Sequence, residues 1–133
     1  MKILLSIKPE YSEKILSGEK KYEFRKTKPR GSIEKIFIYE SHPTKHIVGW
    51  FTIKGILSGT PDIIWEKCKK ESGIEEDRYF NYCEDNNIIH AFEIETLHQY
   101  NKPINPFKMM SGFKPPQNFL YLENTMLHDK LER

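Results

Sequence analysis

A glycine that stops a helix and is followed at once by an alternating strand places the tightest limit on how this chain can fold. The segment is Gly18-Glu19-Lys20-Lys21-Tyr22-Glu23-Phe24-Arg25-Lys26. Successive side chains of a strand point to opposite faces, so Lys20, Tyr22 and Phe24 share one side while Lys21, Glu23 and Arg25 share the other. A face of Lys, Glu and Arg suits either a solvated edge strand with an internal ion pair or the wall of a polar site.

The rest of the chain reads as strands interrupted by short helices and turns. Ile3 to Ile7 is an apolar run suited to a buried strand, and Pro9 opens a helix carrying Tyr11, Ile15 and Leu16 that ends at Gly18. After the turn Pro29-Arg30-Gly31-Ser32, Ile36 to Tyr39 forms a second apolar strand, and Ile47 to Leu57 a third, with Gly49 and Gly55 as bend or bulge points. Thr60-Pro61-Asp62 caps a helix through Trp65 and Cys68, and a second helix covers roughly Glu75 to Tyr82, where the acidic run Glu75-Glu76-Asp77 suits a first helical turn. Ile88 to Leu97 alternates as another strand. Pro103, Pro106, Pro115 and Pro116 then break the chain before a short Phe119 to Leu122 strand and a tail over residues 123 to 133. The expected class is α+β, a small mixed β-barrel of five or six strands with flanking helices, in one domain.

Charge is unevenly spread. Residues 1 to 30 hold nine Lys and Arg against four acids, a balance of +5, leaving −3 for the remainder of a chain whose total is +2. Such asymmetry suits an anionic partner, nucleic acid or nucleotide, and the modest total argues against a protein that coats duplexes. No apolar run approaches the ~18 residues of a membrane span, and the first eight residues are too short for a signal peptide, so a cytoplasmic protein without a membrane partner is expected. Cys68 and Cys83 lack CxxC spacing and read as buried free thiols. His42 and His46 flank Pro43 with no third ligand in view, so no metal and no cofactor are expected.

The series Ser6-Ile7-Lys8-Pro9, Ile15-Leu16-Ser17-Gly18-Glu19-Lys20, Tyr22-Glu23-Phe24-Arg25, Ile38-Tyr39-Glu40-Ser41, Ile47-Val48-Gly49 and Pro115-Pro116-Gln117 resembles the ASCH family of the PUA-like superfamily, over about residues 2 to 122. The resemblance implies a PUA-like β-barrel with a cleft for RNA or for a modified base or nucleoside. Enzymes of the family include amidohydrolases that deacetylate N4-acetylcytidine and others that cut RNA. The amidohydrolases carry a Lys just after the Gly-x pair, a Thr three residues on, and a Glu after the next helix. Lys20 matches the first, Glu23 stands where the Thr would be, and Glu71 falls near the third. The resemblance therefore implies a strand over residues 20 to 26 with Lys21, Glu23 and Arg25 facing a pocket, Lys20 at its mouth, and Tyr22 and Phe24 filling the barrel.

Two chemistries fit these residues. In a binding module, Lys8, Lys20, Lys21, Arg25 and Lys28 form a positive rim for single-stranded RNA or a nucleotide. Tyr39, His42, Trp65 or Tyr82 offers a ring for an unstacked base, Ser41 lies beside the second strand's end, and Glu23 and Gln117 bond the base edge. In a hydrolase, Glu23 is a general base held by Arg25 or Lys20, with Lys20 stabilising the oxyanion that develops as water attacks an amide; the resemblance adds Glu71 as a catalytic candidate. A protein-interaction domain of a regulatory complex is the third alternative. Trp65 suits a helical core position better than a stacking platform, and Glu23 with Arg25 equally suits a structural pair.

Overall fold

The structure is a computed structural model that describes residues 1–123 and 125–131. Of the tail, Asn124, Glu132 and Arg133 lie outside the described residues. One mixed sheet of six strands runs in the order β2-β5-β4-β3-β1-β6 and curls into a half-barrel. Strand β1 (Lys2–Ile7) lies inside the sheet, parallel to β3 (Lys35–Glu40), with Ile7 opposite Glu40, and antiparallel to β6 (Leu120–Tyr121); both its faces are covered, Ile3, Leu5 and Ile7 by one core and Leu4 by another, which is why its centre is an apolar run. Helix α1 (Pro9–Leu16) starts immediately after β1, its proline in the first turn where no backbone N–H is required. Gly18, at φ +87°, turns the chain out of it in a conformation that side-chain-bearing residues rarely adopt.

Helix α1 presses Tyr11, Ile15 and Leu16 onto the sheet face that carries Ile3, Leu5, Ile7, Ile36, Ile38, Phe51 and Phe92. Fully burying one such aliphatic side chain contributes about 1.5–3 kcal/mol, so this helix is held where its flanks can wall cavities. Strand β2 (Tyr22–Arg25) is an edge strand, antiparallel to β5 (Ile89–Ile104), with Glu23 opposite Phe92. It is shorter than expected at both ends. Glu23 therefore lies on the α1 face, while Phe24 and Tyr22 turn the other way. They do not fill the barrel: they pack with Ile64, Trp65, Cys68, Tyr79 and Cys83 beneath α2 (Pro61–Cys68) and α3 (Glu76–Cys83). The two helices supply the apolar partners that a two-sided strand needs.

Helix α2 begins where expected, the Thr60 hydroxyl accepting from the Ile63 N–H. Trp65 is a core residue: 6% exposed, with its ring stacked on Tyr79 at 4.7 Å and its indole N–H donating to Glu76 at 2.8 Å. The long strands β4 (His46–Gly59) and β5 pair with register shifts around Gly49 and Gly55. β5 passes through Pro103 instead of stopping at Leu97, because Ile104 still pairs with Ile47. Helix α4 (Pro106–Met109) follows, and in the tail residues 126 to 131 form α5 (Met126–Leu131), which buries Leu127 and Leu131, one turn apart, against Leu4, Phe37 and Tyr39. Among the described residues no helix is long and apolar enough to cross a membrane.

Cys68 and Cys83 are free and buried. Burial pushes the Cys68 thiol up to about 11, so at pH 8 only about one thousandth of it is thiolate. Alkylation of native protein by iodoacetamide at that pH should be slow at Cys68, becoming fast once urea unfolds the chain. Rapid native labelling of Cys68, read by peptide mass spectrometry, would contradict this packing.

Candidate functional site: a cavity at the end of the first strand

Where β1 ends and α1 begins, a cavity of about 430 Å³ opens between Ser6, Ile7, Lys8 and Tyr11 on one side, and Glu23, Arg25, Arg78 and Tyr82 on the other. Its floor is the pair formed by β2. The Arg25 Nε and Nη2 atoms both reach Glu23 Oε2 at 3.1 Å, with side-chain exposures of only 14% for Arg25 and 9% for Glu23. Arg25 Nη2 also donates to the Ser6 carbonyl at 2.7 Å, while the Ser6 hydroxyl donates to the Pro116 carbonyl at 2.8 Å. The guanidinium is thereby locked to β1, and β1 to the Pro115-Pro116 segment. Glu23 Oε1 has no hydrogen-bond partner among the described residues. Charge-assisted bonds of this kind hold geometry firmly.

Two tyrosines and a second arginine shape the opening. Arg78 on α3 makes a bidentate pair with Glu10 on α1, at 2.8 and 2.9 Å, and its guanidinium stands 5.3 Å from the Tyr11 ring. This clasp joins α1 to α3 across the cavity. Tyr82 is half-buried, with Lys26 Nζ 4.9 Å from its ring. Burial raises the hydroxyl pKa of both Tyr11 and Tyr82, so both stay neutral donors at physiological pH.

Lys20 is placed differently from its expected position at the pocket mouth. It is 3% exposed, with Nζ donating to the Ser72 carbonyl at 2.6 Å and lying 4.9 Å from the Phe24 ring and 5.4 Å from the Tyr11 ring. Its stem fills the space in front of Gly73, where an added Cβ would come within 2.6 Å of the Lys20 Cβ and Cγ. Desolvation lowers its pKa, while the nearby Glu23 charge partly opposes that. A lysine whose native pKa is depressed carries an unfavourable term while protonated, and the term fades as pH rises from that lowered pKa towards the unfolded value. Lys20→Met preserves the stem and removes the charge. The melting-temperature difference between wild type and Lys20→Met should therefore shift in favour of wild type as pH is raised from 7 to 10. A difference that stays flat across that range would contradict a desolvated ammonium.

Among the other residues singled out from sequence, Lys8 lines the cavity and is exposed, whereas Lys21, Lys28 and Glu71 are exposed outside its wall. Lys21 precedes the strand; its backbone N–H donates to the Glu71 carbonyl at 2.9 Å, so the two are joined through main chain. Tyr39 presents no stacking face: it is 1% exposed and its ring meets Phe107 and Phe113 in the second core. Trp65 is likewise enclosed. His42 sits exposed in the turn after β3. Ser41 donates its backbone N–H to the Ile7 carbonyl at 3.0 Å, which ties that turn to β1 without bringing Ser41 into the cavity wall. Gln117 is exposed and follows directly on Pro116, the residue bonded to Ser6.

Arg78, Tyr11, Asn81, Ile74, Ser6 and Ile7 also line the cavity and were not singled out as site residues from sequence. The available signal was weak: Arg78 reads as the end of the acidic run that opens α3, and Tyr11 as a core position of α1. What unites them is the packing of α3 against α1.

A curled six-stranded sheet with a helix inserted after its first strand, and a cavity beside that helix, defines a PUA-like α+β protein. The sequence model of the ASCH domain matches residues 5–103, and this chain belongs to the ASCH family. An ASCH domain-containing ribonuclease of Zymomonas mobilis is 30% identical over 123 residues, covering 90% of this chain and 82% of that protein. The crystal structure of the ASCH protein from Zymomonas mobilis superposes with a TM-score of 0.89 at 25% identity, over 98% of this chain and 94% of that one. A ribosomal protein, uL22 of Ureaplasma parvum, is 29% identical over 124 residues, and this chain spans 39% of its length.

Proposed function

We propose that this protein binds single-stranded RNA across the cavity at the end of β1 and cleaves it, with Glu23 as the general base. The observation that carries the reading is the enclosed Glu23–Arg25 pair: one carboxylate oxygen is held by a guanidinium and the other is left unbonded in a cavity rimmed by Lys8 and Arg78. A carboxylate so held can take the proton of the ribose 2′-OH as that oxygen bonds to phosphorus and the P–O5′ bond breaks, the departing 5′-oxygen taking its proton from solvent water. Arg25 and Lys8 then offset charge developing on the phosphoryl oxygens. Tyr11 and Tyr82 offer rings against which an unstacked base can lie. The ribonuclease relative supports RNA as substrate.

The test incubates purified protein with fluorescent single-stranded RNA, the same strand as 2′-deoxy, duplex DNA and N4-acetylcytidine. RNA should be cut and the other three spared. Affinity should fall with salt, with a log–log slope of about −1 to −2 for two or so phosphates engaged. Equal affinity for duplex DNA, or a slope near zero, would sink the RNA reading. Cytidine release from N4-acetylcytidine, without RNA cleavage, would move the protein to the amidohydrolases.

A further inference from the structure

A second cavity, of about 370 Å³, lies on the other flank of α1, walled by Leu16, Ser17, Glu40, Thr44, Gln99 and Tyr100 among others, none of its lining residues being Lys or Arg. Its notable group is Glu40, which is 7% exposed. The Thr44 hydroxyl donates to Oε2, but among the described residues no cation pairs with this carboxylate and nothing bonds Oε1. Buried carboxylates are ordinarily neutralised by a partner or saturated with hydrogen bonds. This one has spare acceptor capacity on both oxygens and opens on a cavity.

The position of Glu40 ties it to the first cavity. Ile7, which lines that cavity, is the register partner of Glu40 in the parallel β1–β3 ladder, and α1 stands between the two openings. Lys8, Arg25 and Arg78 line the first cavity, whereas the charged groups lining the second are Glu40 and Glu13, so a phosphate belongs in the first and a neutral or positive N–H donor in the second. Among the four RNA bases, guanine alone presents two adjacent N–H donors, N1–H and N2–H₂, on one edge, matching two carboxylate oxygens. We propose that the second cavity takes a guanine base, held by Glu40, from the RNA strand whose phosphate lies in the first. This rests on the reading of the protein as an RNA binder and gives that binder a base preference.

The experiment titrates full-length wild type and Glu40→Gln with GMP, IMP, AMP and CMP by calorimetry, alongside cleavage of guanine-containing and guanine-free RNA strands. IMP lacks only the 2-amino group, so GMP should bind about tenfold more tightly than IMP. Glu40→Gln should erase that difference while guanine-free RNA is still cut as before. Equal affinity for GMP and IMP in wild type would overturn the proposal whether or not the variant folds, as would a GMP preference that survives Glu40→Gln. Free arginine binding as tightly as GMP, and lost in Glu40→Gln, would overturn it in favour of a guanidinium ligand. If guanine-free RNA is cut but no GMP preference exists, the second cavity fails and the RNA reading stands. If GMP is preferred but no RNA is cut, the base site stands and the cleavage reading fails.

Discussion

Glu23→Gln should lower RNA cleavage by roughly 10²–10⁴-fold, the usual loss when a positioned base is removed, while changing RNA affinity only a few-fold. Gln keeps an amide oxygen for the two Arg25 donors that now reach Glu23 Oε2 at 3.1 Å, so the fold and the positive floor of the cavity should survive. The amide cannot accept a proton at neutral pH. Single-turnover cleavage and fluorescence anisotropy on the same strand separate the two effects. Unchanged cleavage by Glu23→Gln would remove Glu23 from the chemistry. A parallel loss of affinity and melting temperature would make the pair structural. Arg25→Ala is the complementary change. It takes the guanidinium from both Glu23 and the Ser6 carbonyl, leaving an enclosed carboxylate without its partner, so both stability and RNA affinity should fall.

Gly49→Ala should be the most destabilising small substitution in the sheet. A Cβ at Gly49 would lie 2.2 Å from the His98 carbonyl oxygen and 3.1 Å from the Gln99 Cα, both backbone atoms of the neighbouring strand. Neither can swing aside, so β4 and β5 must separate where their register already shifts. The cost should be about 3 kcal/mol or more, a fall of about 10 °C in melting temperature. Gly55→Ala is the internal control, because nothing lies within 4 Å of its Cβ position; it should cost under about 1 kcal/mol. Similar melting temperatures for the two variants would mean that the close approach at Gly49 is not a fixed feature of the fold.

These two glycines mark the limit of what is legible locally. The sequence flags both as interruptions of one apolar strand, and the bulged pairing around them agrees. Only the sheet distinguishes them, since the difference lies in how near β5 comes, and that distance depends on residues some fifty positions away. The same division holds for the site. Period-two alternation already places Glu23 and Arg25 on one face and Tyr22 and Phe24 on the other, because strand geometry alone decides it. Which face looks into a cavity is decided by packing. Helices α2 and α3 cover the aromatic side, and α1 stands off the charged side.

Lys20, Tyr39 and Arg78 show why the remainder could not be read in one dimension. A lysine at a helix-to-strand junction is ordinarily solvated; here Gly73 and the Ser72 carbonyl, brought from a loop over fifty residues on, enclose its stem and take its ammonium. Tyr39 alternates as a strand residue with an available ring, but α4 and the segment after it lay Phe107 and Phe113 on that ring. Arg78 reaches the cavity only because Glu10 holds it across from α1. The order of strands and helices and the pairing of faces within a strand follow from periodicity, glycine and proline, which act over a few residues. Burial, cavity walls and the partners of each charge depend on contacts between distant segments, which exist only once the sheet has curled and its helices have docked.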